Sequence, residues 1–257
     1  MAWFIGIDIG SGTSKGAIIR DGKLEDYHLL VSGVDYGMTS RKLREELLAK
    51  AGLNTGDIAG TVTTGHGAGI IPFGNKHVAD IQCCAKGINH IFPSARMVID
   101  VQGQSSQVIE VDENGQVANF AISEVCASGS GLFIEVIANV LQLELKDIGP
   151  LSLNSENPVT FTTGCAVFGE SEAISRVSEG VPMEDILAGV HKALAGKISA
   201  LVDRVGLKEP CAVSGGGGLN VGLIKSVEEL GIQLLVPSQP QIVNALGAAV
   251  IAGEQDI

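Results

Sequence analysis

The sequence predicts an α/β protein made of two related lobes. Residues 3–10 (WFIGIDIG) have the pattern of a buried strand that leads into a glycine turn, and residues 97–102 (MVIDVQ) repeat this design. Asp8 and Asp100 occupy equivalent positions in the two units. No linker or low-complexity run divides the chain. A weak internal repeat of this kind favours two lobes over a single doubly wound sheet.

The first half of the chain begins with a predicted β-hairpin. Lys15–Arg20 forms its second strand, and Asp21-Gly22 is typical of a tight turn. A helix is predicted at 40–51, where three leucines share one face and Thr39 or Ser40 is the expected N-cap. The remaining predicted elements are a strand at 60–64, a glycine-rich loop at 65–69 and a helix at 79–91 that ends before Pro93.

The second half completes the repeat and adds helices. The predicted strands are 107–112 and 211–214, the second of which opens onto four glycines. The predicted helices are 127–144, led by Cys126, then 170–179, 183–205 and 241–253. We expect a first lobe at 1–95 and a second lobe at 96–240, with residues 241–257 packing back on the first.

Composition and charge restrict the class of partner. Of 257 residues, 17 are Lys or Arg and 29 are Asp or Glu, so the formal net charge is −12. Such a surface repels phosphate backbones, so neither nucleic acid nor an anionic membrane is an expected partner. No apolar run reaches the ~20 residues of a membrane helix, and no basic signal segment opens the chain. The odd number of cysteines, 5, suggests reduced thiols or metal ligands, and we expect a cytoplasmic protein.

Three glycine-containing segments have the composition of phosphate-binding turns: 10–13 (GSGT), 103–106 (GQSS) and 215–218 (GGGG). Glycine lets backbone N–H groups approach an anion closely and adopt positive φ. Asp8 and Asp100 would supply oxygen ligands to Mg²⁺, and Lys15 would offset phosphate charge. The alternative is three ordinary tight turns in which the aspartates act as caps. The chain contains neither a G-x-x-x-x-G-K-[ST] P-loop nor a Rossmann G-x-G-x-x-G at the head of a helix.

Two of the cysteines differ from the other three. Cys126 and Cys165 each precede an apolar helical segment, and a helix N-terminus stabilises a thiolate. Two thiolates cannot hold a four-iron cluster, which takes four, but a homodimer would supply 2 + 2 = 4. The alternative is that both are inert core cysteines, since Cys is often a small buried residue.

The glycine turns resemble those of the acetate and sugar kinase, heat-shock chaperone and actin superfamily. The similar segments are Gly6–Thr13 and Ile99–Gln104 for its two phosphate loops, and Ser214–Asn220 for its adenosine motif. The resemblance implies an actin-like ATPase fold with duplicated mixed β-sheet cores flanked by helices. It also implies an interlobe nucleotide cleft and ATP hydrolysis.

A narrower resemblance covers nearly the whole chain. Cys-Ala-Ser-Gly-Ser-Gly at 126–131, Cys-Ala-Val-Phe-Gly-Glu-Ser-Glu at 165–172 and the opening GIDIGSGTSK are similar to the activator ATPases of 2-hydroxyacyl-CoA dehydratases. That family includes the ATPase subunits of benzoyl-CoA reductase. It implies a homodimer that bridges one [4Fe-4S] cluster through Cys126 and Cys165. It also implies ATP-driven transfer of a low-potential electron to a separate iron–sulfur protein, with ferredoxin or flavodoxin as donor.

These resemblances assign roles to individual residues. Asp8 and Asp100 are expected to place Mg²⁺, and Gln104 to orient the attacking water. The other expected nucleotide-binding residues are Gly10, Ser11, Gly12, Thr13, Lys15, Gly103, Ser105, Gly129, Gly215, Gly216, Gly217, Gly218 and Asn220.

The second phosphate loop departs from the family pattern. Gln102, Ser105 and Gln107 stand where the family usually has a glycine, an acidic residue and a lysine. The turn therefore has less charge than is usual. The cysteines outside the two motifs are expected in the core, and the five histidines show no zinc-ligand spacing.

Two other functions remain compatible with the sequence. One is a small-molecule kinase of the same superfamily, which would need a catalytic acid near Asp100. Ser105, at a position where the family carries an acid, argues against it. The other is an actin-like ATPase scaffold in which Cys126 and Cys165 only pack.

Overall fold

The computed structural model describes residues 2–123, 129–161 and 166–254. The chain divides into two compact units. The first consists of Met1–Val98, Val111–Ala118 and Ser238–Ile257, and the second of Ile99–Glu110 and Asn119–Pro237. Among the described residues, no helix is both long enough and apolar enough to span a membrane.

The described residues form ten strands and eight α-helices. The strands are β1 Trp3–Ile9, β2 Thr13–Arg20, β3 Lys23–Val31, β4 Ile58–Thr64, β5 Lys76–His77, β6 Met97–Val101, β7 Ser106–Val111, β8 Val117–Ile122, β9 Cys211–Ser214 and β10 Leu234–Leu235. The helices are α1 Tyr36–Ala51, α2 Asp80–Ile91, α3 Gly131–Val140, α4 Leu145–Ser152, α5 Ala166–Ser178, α6 Met183–Val205, α7 Val221–Glu228 and α8 Val243–Glu254.

The first sheet is mixed, with the strand order β3-β2-β1-β4-β5. Strands β1 to β3 pair antiparallel, whereas β4 runs parallel to β1 and to β5. The predicted hairpin turn is confirmed, since Asp21 and Gly22 both have positive φ, 50° and 75°. Positive φ at both central residues gives the turn a twist that matches the flanking strands.

Side chains that alternate along β1 and β2 form the core on the two faces of this sheet. On one face, Ile5, Ile7, Ile9 and Ile18 pack with leucines of α1. On the other face, Ala17 and Ile19 of β2 pack with residues of α8. Helices therefore cover both faces of the central strand, β1. The chain leaves the sheet at the carboxyl-terminal end of this strand.

The second sheet repeats the five-stranded plan with the order β10-β9-β6-β7-β8. Its central strand, β6, is buried along its whole length. Helix α6 is the longest in the described chain, and its buried face includes Ile186, Leu187 and Leu194. The two sheets confirm the expected duplication of a sheet core.

Three expected helix boundaries are wrong. Helix α1 begins at Tyr36, because the carboxylate of Asp35 accepts a hydrogen bond from the backbone N–H of Met38 at 2.8 Å and caps it. The helix expected at 127–144 covers only Gly131–Val140 among the described residues, and Gln142 follows it with a φ of 55° that no helix continues. The helix expected at 170–179 begins earlier, at Ala166.

Helices α2 and α8 approach each other so closely that glycine is required at the contact. A Cβ at Gly247 would overlap the backbone carbonyl of Cys83, and one at Gly87 would overlap that of Val243. Both obstacles are main chain and not flexible side chains. The approach of the helices is therefore set by these two glycines.

We expect Gly247→Ala to destabilise the protein by about 1–3 kcal/mol or more, because the helices would have to separate. Gly196→Ala is the matched control, since Gly196 is an exposed helical glycine with open space around it. That change should stabilise by up to about 1 kcal/mol through helix propensity. Urea unfolding of the two variants measures both effects, and equal midpoints would contradict the packing argument.

Candidate functional site

The turn between β1 and β2 is held in place by a serine from a distant part of the chain. The Ser32 hydroxyl donates to the Gly10 carbonyl at 2.6 Å, and the Ser32 N–H donates to the Gly12 carbonyl at 3.1 Å. The hydroxyls of Ser32 and Ser14 lie 2.8 Å apart. The carbonyls of Gly10 and Gly12 thus both accept hydrogen bonds from Ser32. Sequence reasoning missed Ser32, since nothing near it in the sequence marks it.

Asp8 lies at the end of β1 and is only 4% exposed. The Lys15 ammonium on the paired strand lies 3.2 Å from Asp8 Oδ2. Gly65, at the end of the parallel strand β4, has a φ of 87°, and a Cβ there would overlap Asp8 Oδ1. Two residues further along the chain, the Gly67 N–H donates to the Ile9 carbonyl at 2.9 Å. The carboxylate is therefore fixed beside two glycine-containing turns at the carboxyl-terminal end of the central strand. We call this end of each sheet its edge.

Asp100 occupies the equivalent place at the end of β6 and is completely buried. The side-chain amides of Gln102 and Gln107 donate to Asp100 Oδ2 at 2.7 Å and 2.9 Å. Burial of a carboxylate is costly unless donors compensate it. The two glutamines that depart from the family pattern therefore serve the aspartate directly, a contact that the sequence did not predict.

The turn after Asp100 is bonded to the start of a helix. The N–H groups of Gly131 and Leu132, in the first turn of α3, donate to the carbonyls of Gln102 and Gly103 at 2.8 Å and 2.9 Å. The Gln102 N–H closes the turn onto the Ser105 carbonyl at 2.9 Å. Gly103 and Gln104 are exposed at its tip. Hydrogen bonds therefore hold the base of this turn, and its tip is exposed to a ligand.

The four-glycine segment lies against the end of β6. Gly215 has a φ of 80°, and a Cβ there would lie 2.7 Å from Asp100 Oδ1. A Cβ at Gly217 would lie 2.5 Å from the Val101 side chain. The segment forms a short helical turn, Gly216–Leu219, after which the Asn220 side chain caps α7 by accepting from Gly222 and Leu223 N–H at 3.0 Å each. The oxygen of Asn220 is therefore engaged in the cap.

The predicted residues thus gather at one edge of each sheet. In the first unit these are Asp8, Gly10, Ser11, Gly12, Thr13 and Lys15. In the second unit these are Asp100, Gly103, Gln104, Ser105, Gly215, Gly216, Gly217 and Gly218. A Cβ at Gly129 would lie 3.6 Å from the side chain of Ser123. Cys126 and Cys165 lie outside the described residues.

The donor sets at both edges fit a hard cation accompanied by phosphate. Carboxylate oxygens are the ligands that Mg²⁺ prefers, and turns rich in glycine can present backbone N–H groups to phosphate oxygens. Among residues 2–123, 129–161 and 166–254, no three or more His, Cys, Asp or Glu side chains cluster as a metal site of their own. A Mg²⁺ ion held by one carboxylate would take its remaining ligands from water and phosphate oxygens.

The three cysteines that the structure describes are core residues, as expected. Cys83, Cys84 and Cys211 are all buried. Burial raises the pKa of Cys83 and of Cys211 to about 12. Thiols that stay protonated are poor metal ligands and poor nucleophiles.

Comparison with known proteins identifies the family of the chain. Residues 5–252 match the BadF/BadG/BcrA/BcrD ATPase family. The chain belongs to this ATPase family. It is 37% identical over 253 residues to the 2-hydroxyisocaproyl-CoA dehydratase activator of Clostridioides difficile, covering 98% of this chain and 95% of that protein. It is 36% identical to the (R)-2-hydroxyglutaryl-CoA dehydratase activating ATPase of Acidaminococcus fermentans, covering 96% of each.

A solved structure agrees with this assignment. The activator of the 2-hydroxyisocaproyl-CoA dehydratase from Clostridium difficile with bound ADPNP has a TM-score of 0.94 to this chain at 36% identity. The match covers 99% of this chain and 95% of that chain. The family resemblance and the actin-like fold class that the sequence predicted are both confirmed.

We expect Gln107→Leu in this ATPase to be destabilising by about 1.5–3 kcal/mol, because it removes a hydrogen bond to a buried carboxylate. Gln116→Leu is the matched control, since Gln116 is exposed. Urea unfolding of both variants provides the comparison. A Gln107→Leu midpoint equal to that of Gln116→Leu would show that the amide does not support Asp100.

Proposed function

We propose that this chain is an ATP-dependent activator that passes low-potential electrons to a separate iron–sulfur enzyme. The acceptor would be a 2-hydroxyacyl-CoA dehydratase, a benzoyl-CoA reductase-like enzyme or a double-cubane cluster protein. Ferredoxin or flavodoxin would be the donor, in the cytoplasm of an anaerobic cell. The observation that carries this proposal is the 37% identity, over 98% of the chain, to a dehydratase activator.

The nucleotide part of the proposal rests on the two sheet edges. Backbone N–H groups at Gly10–Thr13 and Gly103–Ser105 would bind the phosphates of ATP, and Gly215–Gly218 would contact the adenosine. Bound Mg²⁺ would neutralise phosphate charge, held by Asp8 and Asp100. Gln104 is exposed at the tip of its turn, which supports a role in orienting the attacking water. Lys15, in contact with Asp8, would place a positive charge at the same edge.

The cluster part of the proposal rests on Cys126 and Cys165 in a homodimer. When bound, a [4Fe-4S] cluster would supply a one-electron carrier. Four thiolates are needed and each chain offers two in these motifs, so a second copy must contribute the others. Helix α5 begins directly after Cys165, and its Val167 and Phe168 are 69% and 66% exposed. Exposed apolar side chains next to a proposed ligand support an interface with the second copy at this place.

A contact in the second unit would couple the nucleotide to the cluster. The base of the turn at 102–103 accepts two hydrogen bonds from the first turn of α3, and α3 starts five residues after Cys126. A shift of this turn on ATP hydrolysis would therefore move α3 with it. Rigid-body motion of a helix is an established way to transmit such a change.

The contacts favour this function over a small-molecule kinase. A kinase needs a base beside the acceptor hydroxyl, but the carboxylate of Asp100 is buried and accepts two amide hydrogen bonds. The Ser105 hydroxyl lies 3.5 Å from Gln102 Oε1. It has no carboxylate that could act as the base of a kinase.

Anaerobic purification tests the cluster. We expect a brown dimer with about four irons, since four-thiolate ligation needs both copies. Cys126→Ser and Cys165→Ser should lose iron and colour and keep ATP binding. Cys211→Ser is the matched control and should keep all three. A colourless monomer, or a Cys126→Ser variant that loses ATP binding but keeps its iron, would contradict the assignment.

Gln104→Ala tests the hydrolytic role. We expect kcat for ATP hydrolysis to fall at least about tenfold, because the water is no longer oriented, while KM for ATP stays within about twofold. The fold should not change, since the side chain is exposed. Gln116→Ala controls for the loss of an exposed glutamine. An unchanged kcat would remove Gln104 from the mechanism.

A further inference from the structure

A buried polar pair connects two helices of the second unit, α6 and α4. His191 of α6 is completely buried, and its Nδ1 lies 3.0 Å from the Ser152 hydroxyl at the end of α4. The Ser152 hydroxyl donates in turn to the Gly149 carbonyl at 2.7 Å. A buried hydrogen-bonded pair of this kind fixes the relative position of the elements that carry it.

The hydrogen bonds define the protonation of the ring. A serine hydroxyl has a single proton, and here Gly149 accepts it, so Ser152 must accept from His191 Nδ1–H. Burial lowers the pKa of His191 to about 4, so the ring is neutral at physiological pH. Its Nε2 is therefore unprotonated, and within the described chain it has no hydrogen-bond partner.

The His191–Ser152 pair packs against the first residues of α7. A Cβ at Gly222 would overlap the Ser152 hydroxyl and lie 2.6 Å from His191 Nδ1. A Cβ at Gly149 would lie 2.9 Å from Asn220 Oδ1, the atom that caps α7. The backbone at 220–222 is therefore packed closely against the His191–Ser152 pair. This backbone continues without a break from the Gly216–Leu219 turn.

We propose that His191, as the neutral Nδ1–H tautomer, is a positioning residue for the glycine turn 215–219. The imidazole and Ser152 hold the first residues of α7, and α7 holds the end of the turn. The inference rests on the proposed function, in which this turn contacts the adenosine of ATP. His191 does not touch the nucleotide; it fixes the backbone that does.

Three substitutions separate the hydrogen bond from side-chain volume. His191→Asn places an amide at the position of Nδ1, His191→Gln places one at the position of Nε2, and His191→Leu fills the space without a donor. We expect His191→Asn to bind MgATP within about threefold of wild type. His191→Gln and His191→Leu should bind about tenfold more weakly. Titration calorimetry with MgATP measures the affinities, with circular dichroism to confirm folding.

Ser152→Ala provides a second route that leaves the ring in place. It should weaken MgATP binding at least as much as His191→Leu, because it removes the hydrogen bond to His191 and also the bond to the Gly149 carbonyl. The double variant should be no weaker than Ser152→Ala alone, because the His191–Ser152 bond is lost in both. Imidazole ¹⁵N chemical shifts of the wild type test the tautomer directly, even where a variant fails to fold.

The outcomes distinguish this inference from the proposed function. A wild-type protein that does not bind MgATP would refute the function. A wild type that binds, with Ser152→Ala binding equally well, would refute only the positioning role. Equal losses for His191→Asn and His191→Gln would assign the effect to volume, and an Nε2–H tautomer would overturn the hydrogen-bond assignment.

Discussion

The burial of one carboxylate at the end of each central strand is the constraint on which both sheet edges depend. Asp8 and Asp100 lie where the chain leaves the sheet, almost or fully out of contact with water. An ionised carboxylate is stable there only if nearby groups donate to it. The donors are Lys15 in the first unit and Gln102 and Gln107 in the second. In both units they lie within eight residues of the aspartate, so the turn that follows the strand must bring them back to it.

The same carboxylates explain why glycine is required around them. A side chain at Gly65 or Gly215 would occupy the space of an aspartate oxygen. Both residues have positive φ, which L side chains rarely adopt. The glycines are thus fixed both by conformation and by the neighbouring charge.

The two units apply this plan differently. The ammonium of Lys15 reaches Asp8 from the paired strand, whereas two neutral amides reach Asp100. The sequence showed the departures in the second turn as a loss of charge, but in the structure Gln102 and Gln107 both donate hydrogen bonds to Asp100. In addition, the second turn is bonded to α3. In the proposed function, these hydrogen bonds would connect ATP hydrolysis to the cysteine segments.

Local patterns in the sequence determined much of this architecture. The β1–β2 hairpin, the turn at Asp21-Gly22, helix α6 and the aspartates at the strand ends follow from periodicity, turn chemistry and the repeat. The tertiary structure alone decided which distant groups complete each edge. Ser32 lies 22 residues from Gly10, and His191 lies 39 residues from Ser152. The physical reason is that a hydrogen bond between residues so far apart depends on how sheets and helices pack, which leaves no periodic signal in the residues near either partner.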